Sequence, residues 1–163
     1  MIPAGKLAAW PAAAVRRMTH TRAATLRFLN SVPAKAIHQP RTQGQWSLRD
    51  AFAHFVAWEE EAAKRLRLIA RGQAGRVRFD DDMQEVHRFN ARVVSRARKL
   101  SWPALLHRAA QVRVRIIAAL NHVPLAELQN RAHRYPVTLW LPEFAWTHEQ
   151  GHLHAFRAWR RHV

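Results

Sequence analysis

Along most of the chain apolar residues return every three to four positions, the period of a helix buried on one side. Val15, Met18, Leu26, Leu29 and Val32 mark a first helix from about Pro11 to Ser31, with Pro11 suited to its first turn and Pro33 beyond its end. Leu48, Phe52, Phe55, Ala62, Leu66 and Ile69 mark a second, which reaches about Arg71. Ser47 is its natural N-cap, and Asp50 stands three residues later, where a carboxylate meets free backbone amides. A shorter helix, capped from the run Asp80, Asp81 and Asp82, carries Met83, Val86, Phe89 and Val93 towards Lys99. The cleanest period is Trp102, Leu105, Leu106, Ala109, Val112, Ile116, Ile117 and Leu120, opened by Ser101 and Pro103 and stopped by Pro124. Segments 34–45 and 72–79, and the stretch holding Pro136 and Pro142, read as loops. With a last helix at the carboxyl end and no strand alternation, the pattern predicts an all-α, four-helix bundle with one additional short helix, in a single domain over 1–163.

The last helix carries the densest chemistry, in the run FAWTHEQGHLHAFRAW from Phe144 to Trp159. At about 100° per residue, Phe144, His148, His152, Ala155 and Trp159 share a sector roughly 80° wide. Glu143, Gln150, Arg157, Arg160 and Arg161 fall opposite. Two imidazoles one turn apart inside an apolar stripe are either buried histidines satisfied by their surroundings or a converging pair of metal ligands. The same run spells HExxH, but a metalloprotease is not expected: Ala155 and Ala158 stand where the longer zinc motif needs glycine and histidine, and no acidic residue follows Glu149. His54, on the second helix, lies off the centre of its core face, with Asp50, Trp58 and Glu61 at helical spacing around it.

Composition narrows the chemistry. There is no cysteine, which excludes disulfides, thiolate ligands and a cysteine nucleophile, so any thiol must be exogenous. No apolar run is long enough for a membrane span and the amino terminus makes a poor signal peptide, so the expected location is cytoplasmic. The chain has 27 basic and 11 acidic residues, a formal net charge of +16. That excess attracts nucleic acid or acidic ligands, but it is spread over every segment, which favours weak, sequence-independent binding. Arg88, Arg92 and Arg96 form the best local ridge for phosphate.

Taken together, Trp46-Ser47-Leu48-Arg49-Asp50, then His54 and Trp58-Glu59, and late in the chain His148, His152 and Trp159, resemble the DinB-like superfamily. This group includes bacillithiol-dependent transferases, the mycothiol-dependent maleylpyruvate isomerase domain and the colibactin self-resistance (ClbS/DfsB) proteins. Phe89-Asn90, Ser101-Trp102 and Leu105-Leu106 look closest to the last branch. The resemblance implies a four-helix bundle holding a divalent metal, zinc or nickel, through one side chain after the W-S-x-x-D start and two on the last helix. Carried to this chain, those ligands are His54, His148 and His152. Three neutral donors leave a position open, the arrangement of a catalytic site that activates water or an exogenous low-molecular-weight thiol against an electrophilic small molecule. Glu149 is the candidate base or orienting carboxylate, and Trp58 and Trp146 are candidate pocket walls. A ClbS/DfsB-like DNA-associated stress protein, or a non-catalytic metal-binding bundle, are the competing expectations. The partners these readings allow are an electrophilic small molecule, a second copy of the chain and, weakly, nucleic acid.

Overall fold

The computed structural model describes residues 2–79, 82–132 and 135–161, with Ala4 described by its backbone alone. Its helices are α1 (Ala4–Leu7), α2 (Trp10–Asn30), α3 (Ala34–His38), α4 (Leu48–Ala70), α5 (Met83–Ala97), α6 (Trp102–Asn121), α7 (Leu125–Leu128), α8 (Val137–Phe144) and α9 (Trp146–Arg160), with a single 3-10 turn at Ala74–Arg76. Among the described residues there is no strand. The four long helices form the bundle. Helix α4 packs against α6, α2 against α9, and the two pairs close through α4 with α9 and α2 with α6. Among the described residues, no helix is long and apolar enough to cross a membrane.

The expected starts hold where a side chain caps the helix. Ser47 Oγ accepts from Asp50 N at 3.1 Å while Asp50 Oδ2 accepts from Ser47 N at 3.2 Å, a reciprocal capping box at the head of α4. Arg98 then grips Asp50 with two nitrogens, at 3.0 and 2.8 Å, tying the end of α5 to that box. Asp82 caps α5 and Ser101 caps α6. Asp80 and Asp81, the other proposed caps, lie outside the described residues.

Two loop expectations are corrected. Segment 34–45 contains α3, and the stretch after Pro124 contains α7 and α8. Pro33, Pro124 and Pro136 each stand just before a helix, with ψ of 142°, 141° and 144°, rather than ending one, because proline's fixed φ suits a helix entry. The bundle therefore carries more than one additional short helix. Pro142 sits inside α8, where it removes a hydrogen bond to the preceding turn, and the helix ends two residues later at Phe144, with Ala145 turned out of it (φ −123°, ψ −101°). The last helix accordingly begins at Trp146, and Phe144 belongs to α8.

The core has two apolar clusters. One gathers Met18, Leu66, Ile116, Leu120, Leu141 and Trp146, the other Leu29, Leu48, Phe52, Phe55, Leu105 and Phe156. Between them lies a layer of charge. Arg22 of α2 donates to Glu149 (Nε to Oε1, 2.7 Å) and to Glu59 (Nη2 to Oε2, 2.9 Å). Arg113 of α6 donates from Nη2 to Glu149 Oε2 at 2.9 Å and also to Glu59 Oε1. Both glutamates are 0% exposed. Each long helix thus contributes one residue to a four-membered ion cluster whose formal charges cancel. Buried charges survive only when paired and hydrogen-bonded in this way.

Candidate metal centre

The ion cluster fixes the rotation of α9. Its buried stripe is Trp146, Glu149, Leu153 and Phe156, not the histidine-bearing stripe expected from the wheel. Ala155 is exposed, and His148 and His152 flank the core half-buried. A glutamate reads as surface on a helical wheel, yet here two guanidinium groups neutralise it and draw it inward. Both Glu149 oxygens are committed to Arg22 and Arg113, so neither is left free for the base or orienting role expected of this side chain.

On the flank of α9 the histidines meet α4. His54 is 6% exposed because α4 is the central helix, enclosed along most of its length. The Trp46 ring lies 4.8 Å from the His54 ring, and Trp58 stands edge-on at 6.4 Å. Ring centroids are 4.8 Å apart for His54 and His148, 5.2 Å for His54 and His152, and 4.9 Å for His148 and His152. One ring nitrogen from each histidine lies within 4.8 Å of the other two.

The donor set fits a divalent ion. His148 Nε2 stands 3.0 Å from His54 Nε2 and 3.2 Å from His152 Nε2. Nitrogens about 2.0–2.1 Å from one zinc lie roughly 2.9 Å apart at octahedral angles and about 3.4 Å apart at tetrahedral ones. A single His148 nitrogen has one proton or one lone pair, so neutral imidazoles cannot fully satisfy both contacts. A cation at the point where the three lone pairs converge resolves that conflict. Burial lowers the His54 pKa to about 3, reinforced by the neighbouring His148 and His152, and lowers His148 to about 4, reinforced by His152. Burial also lowers His152, against the pull of Glu149. The rings are therefore neutral at ordinary pH, the form in which imidazole is a ligand. His54 Nδ1 is buried without a hydrogen-bond partner. The Asn90 amide, which accepts from Trp58 Nε1 at 3.0 Å, lies close enough to favour the charged form of His54.

His54 and His148 line a cleft of about 570 Å³, whose walls also include Trp58, Phe79, Tyr135, Trp140 and Phe144. The candidate pocket residues therefore divide. Trp58 lines the cleft, whereas Trp146 is buried in the core against Trp10. Sequence reading missed Trp140, whose segment it took for a loop, and it placed Glu143 on the polar face of the last helix rather than on α8. It also missed Arg22 and Arg113, whose partners lie 127 and 54 residues away in the chain. The spacing of Arg113 within the apolar period of α6, one residue after Val112, was the only available sign of its burial.

No curated protein and no solved structure matches the chain. A family model does, over residues 17–156, a span that takes in the capping box, the ion cluster and all three histidines. The chain belongs to the DinB superfamily.

Proposed function

We propose that the protein is a metal-dependent enzyme acting on an electrophilic small molecule, with His54, His148 and His152 holding a divalent ion, zinc or nickel. The observation that carries this reading is the convergence of three neutral imidazole nitrogens beside an aromatic cleft that His54 and His148 line. A closed structural site needs no such access; a reactive one does. Bound there, a divalent ion supplies Lewis-acid activation of water or of an exogenous low-molecular-weight thiol. The chain's own residues supply the rest. Trp46 and Trp58 keep water from the His54 ring, Asn90 holds Trp58 in place, and the aromatic walls receive the apolar part of a substrate. Glu149 acts on the site by fixing α9 through Arg22 and Arg113, and we assign it no proton transfer.

Metal-free protein and protein reconstituted with zinc or nickel, assayed on a panel of epoxides and activated halides with and without added thiol, test this reading. Turnover that needs both the metal and His152 is expected. Stoichiometric metal without turnover on any substrate would instead favour a non-catalytic metal-binding bundle.

A further inference from the structure

Nearly every described carboxylate in this basic chain has a partner. Asp50 pairs with Arg98, Glu60 with Arg108 and Arg115, Glu61 with Lys64, and Asp82 and Glu85 with Arg88. Glu59 and Glu149 share Arg22 and Arg113, and Glu127 accepts from Asn130. Glu143 is the exception among the described residues, although basic residues outnumber acidic ones 27 to 11. Its position is also unfavourable. It is the penultimate residue of α8, where the helix carbonyls already concentrate negative charge. A carboxylate left unpaired at that end of a helix is placed at a cost, and it faces the cleft.

The walls beside it suit one kind of guest. Trp140, at i−3 from Glu143, and Phe144 meet edge-on with centroids 5.6 Å apart, and Trp58 meets Phe144 the same way at 5.2 Å. Tyr135 stands edge-on to Phe79 at 5.1 Å. Perpendicular rings offer π-faces in more than one direction, which a flat apolar body or an organic cation can use. The protein itself makes such contacts next door: the Arg65 guanidinium lies 5.0 Å from the Phe79 ring centre and 4.8 Å from that of Phe144. No lysine or arginine lines the cleft among the described residues, so in the metal-free protein an anionic guest finds no side-chain counter-charge on its walls.

We infer that this cleft binds a flat, apolar organic cation, its positive nitrogen against Glu143 and its apolar body along Trp140, Phe144 and Trp58 towards the histidines. This rests on the metal-dependent reading only for what happens afterwards; the binding itself does not require the ion. A divalent ion at the histidines repels a positive group, which fixes the orientation, with the cationic end at Glu143 and the neutral end at the metal. The net charge of +16 opposes any cation at long range, so selection for one depends on Glu143.

The test uses three aromatic probes of matched size: N-methylquinolinium (cation), 1-methylnaphthalene (neutral) and 1-naphthoate (anion). Each is titrated into metal-free and zinc-loaded protein and followed by tryptophan fluorescence and calorimetry. In the metal-free protein the cation should bind about tenfold more tightly than the neutral probe, and the anion more weakly than both; zinc should weaken the cation relative to the neutral probe. Glu143→Gln should erase the cation's advantage and leave the neutral probe unchanged. Because Glu143 is exposed, the variant should keep its helicity, which circular dichroism checks. In the metal-free protein, equal or tighter binding of the anion, a cation preference that survives Glu143→Gln, or no saturable binding of any probe would each overturn the inference. A cation preference in metal-free protein that takes up no zinc would leave the inference standing and overturn the metal-dependent reading instead.

Discussion

Replacing the two buried arginines separately should give unequal losses, and the geometry says which is larger. Removing one partner of a buried ion pair costs about 3–5 kcal/mol, because the remaining charge is left uncompensated. Arg22 spends two nitrogens on two different carboxylates and lies over the Phe52 and Phe55 rings at 5.5 and 5.6 Å. Burial works against its charge, but Glu59 and Glu149 more than offset this and raise its pKa above the usual value. Arg113 reaches both glutamates through Nη2 alone, and its Nε and Nη1 are buried without partners. Burial, together with Arg22, lowers its pKa in spite of the two glutamates. Unmet buried donors cost about 1–3 kcal/mol each, so removing them offsets part of what Arg113→Met loses. Arg22→Met should therefore cost about 4–5 kcal/mol and Arg113→Met about 1–3 kcal/mol. For a chain of this size, at roughly 2–4 °C per kcal/mol, that is about 8–20 °C in Tm against about 2–12 °C. Urea unfolding of metal-free protein at pH 7.5 reads both values, with the slope checked for constancy. An Arg113→Met loss equal to or above that of Arg22→Met, or losses below about 1 kcal/mol for both, would refute the reasoning.

Two further outcomes follow from the site and the surface. Because His54, His148 and His152 titrate below their usual 6.5 when folded, the unfolded chain binds protons that the folded one refuses. Their neutral burial is thus fully tolerated above pH 6.5, and the metal-free protein should lose stability as pH falls from there towards about 4. The slope should be on the order of 1.4 kcal/mol per proton per pH unit, and zinc should move the acid transition lower; an apo stability flat between these limits would contradict the neutral cluster. On α5 the exposed Arg88, Arg92 and Arg96 should give only weak, sequence-independent DNA binding, with Arg88 partly engaged by Asp82 and Glu85. Fluorescence anisotropy should show that binding nearly gone at about 200 mM salt, and persistence dependent on the three arginines would refute it.

The parts of the fold that could be read in advance are those where local chemistry and burial agree. On α4 every apolar position expected to face inward does so, from Leu48 at 0% to Ile69 at 2% exposed, and its Ser47 and Asp50 cap is local. Where burial depends on a distant partner the pattern misleads. Glu149 turns α9 by its bonds to Arg22 and Arg113, so the apparent stripe of Phe144, His148, His152 and Ala155 breaks up. Arg22, Thr21 and Thr25 are buried on α2, where their polarity suggests solvent. The pairing of His148 with His152 remained legible because one turn between two side chains is a local fact, whereas bringing His54 to them required the family resemblance. The cleft was not legible, since Pro136 and Pro142 disguise the helix that carries Trp140 and Glu143.

The most direct measurement is zinc content after equilibrium dialysis, for wild type, His54→Ala and His152→Ala, with circular dichroism on each. The account predicts about one ion per chain in wild type, loss of it in both variants, and retained helicity, because the long helices pack without the site. A variant that keeps full occupancy would contradict the ligand set, and wild-type protein that takes up no ion at neutral pH would contradict the metal centre itself.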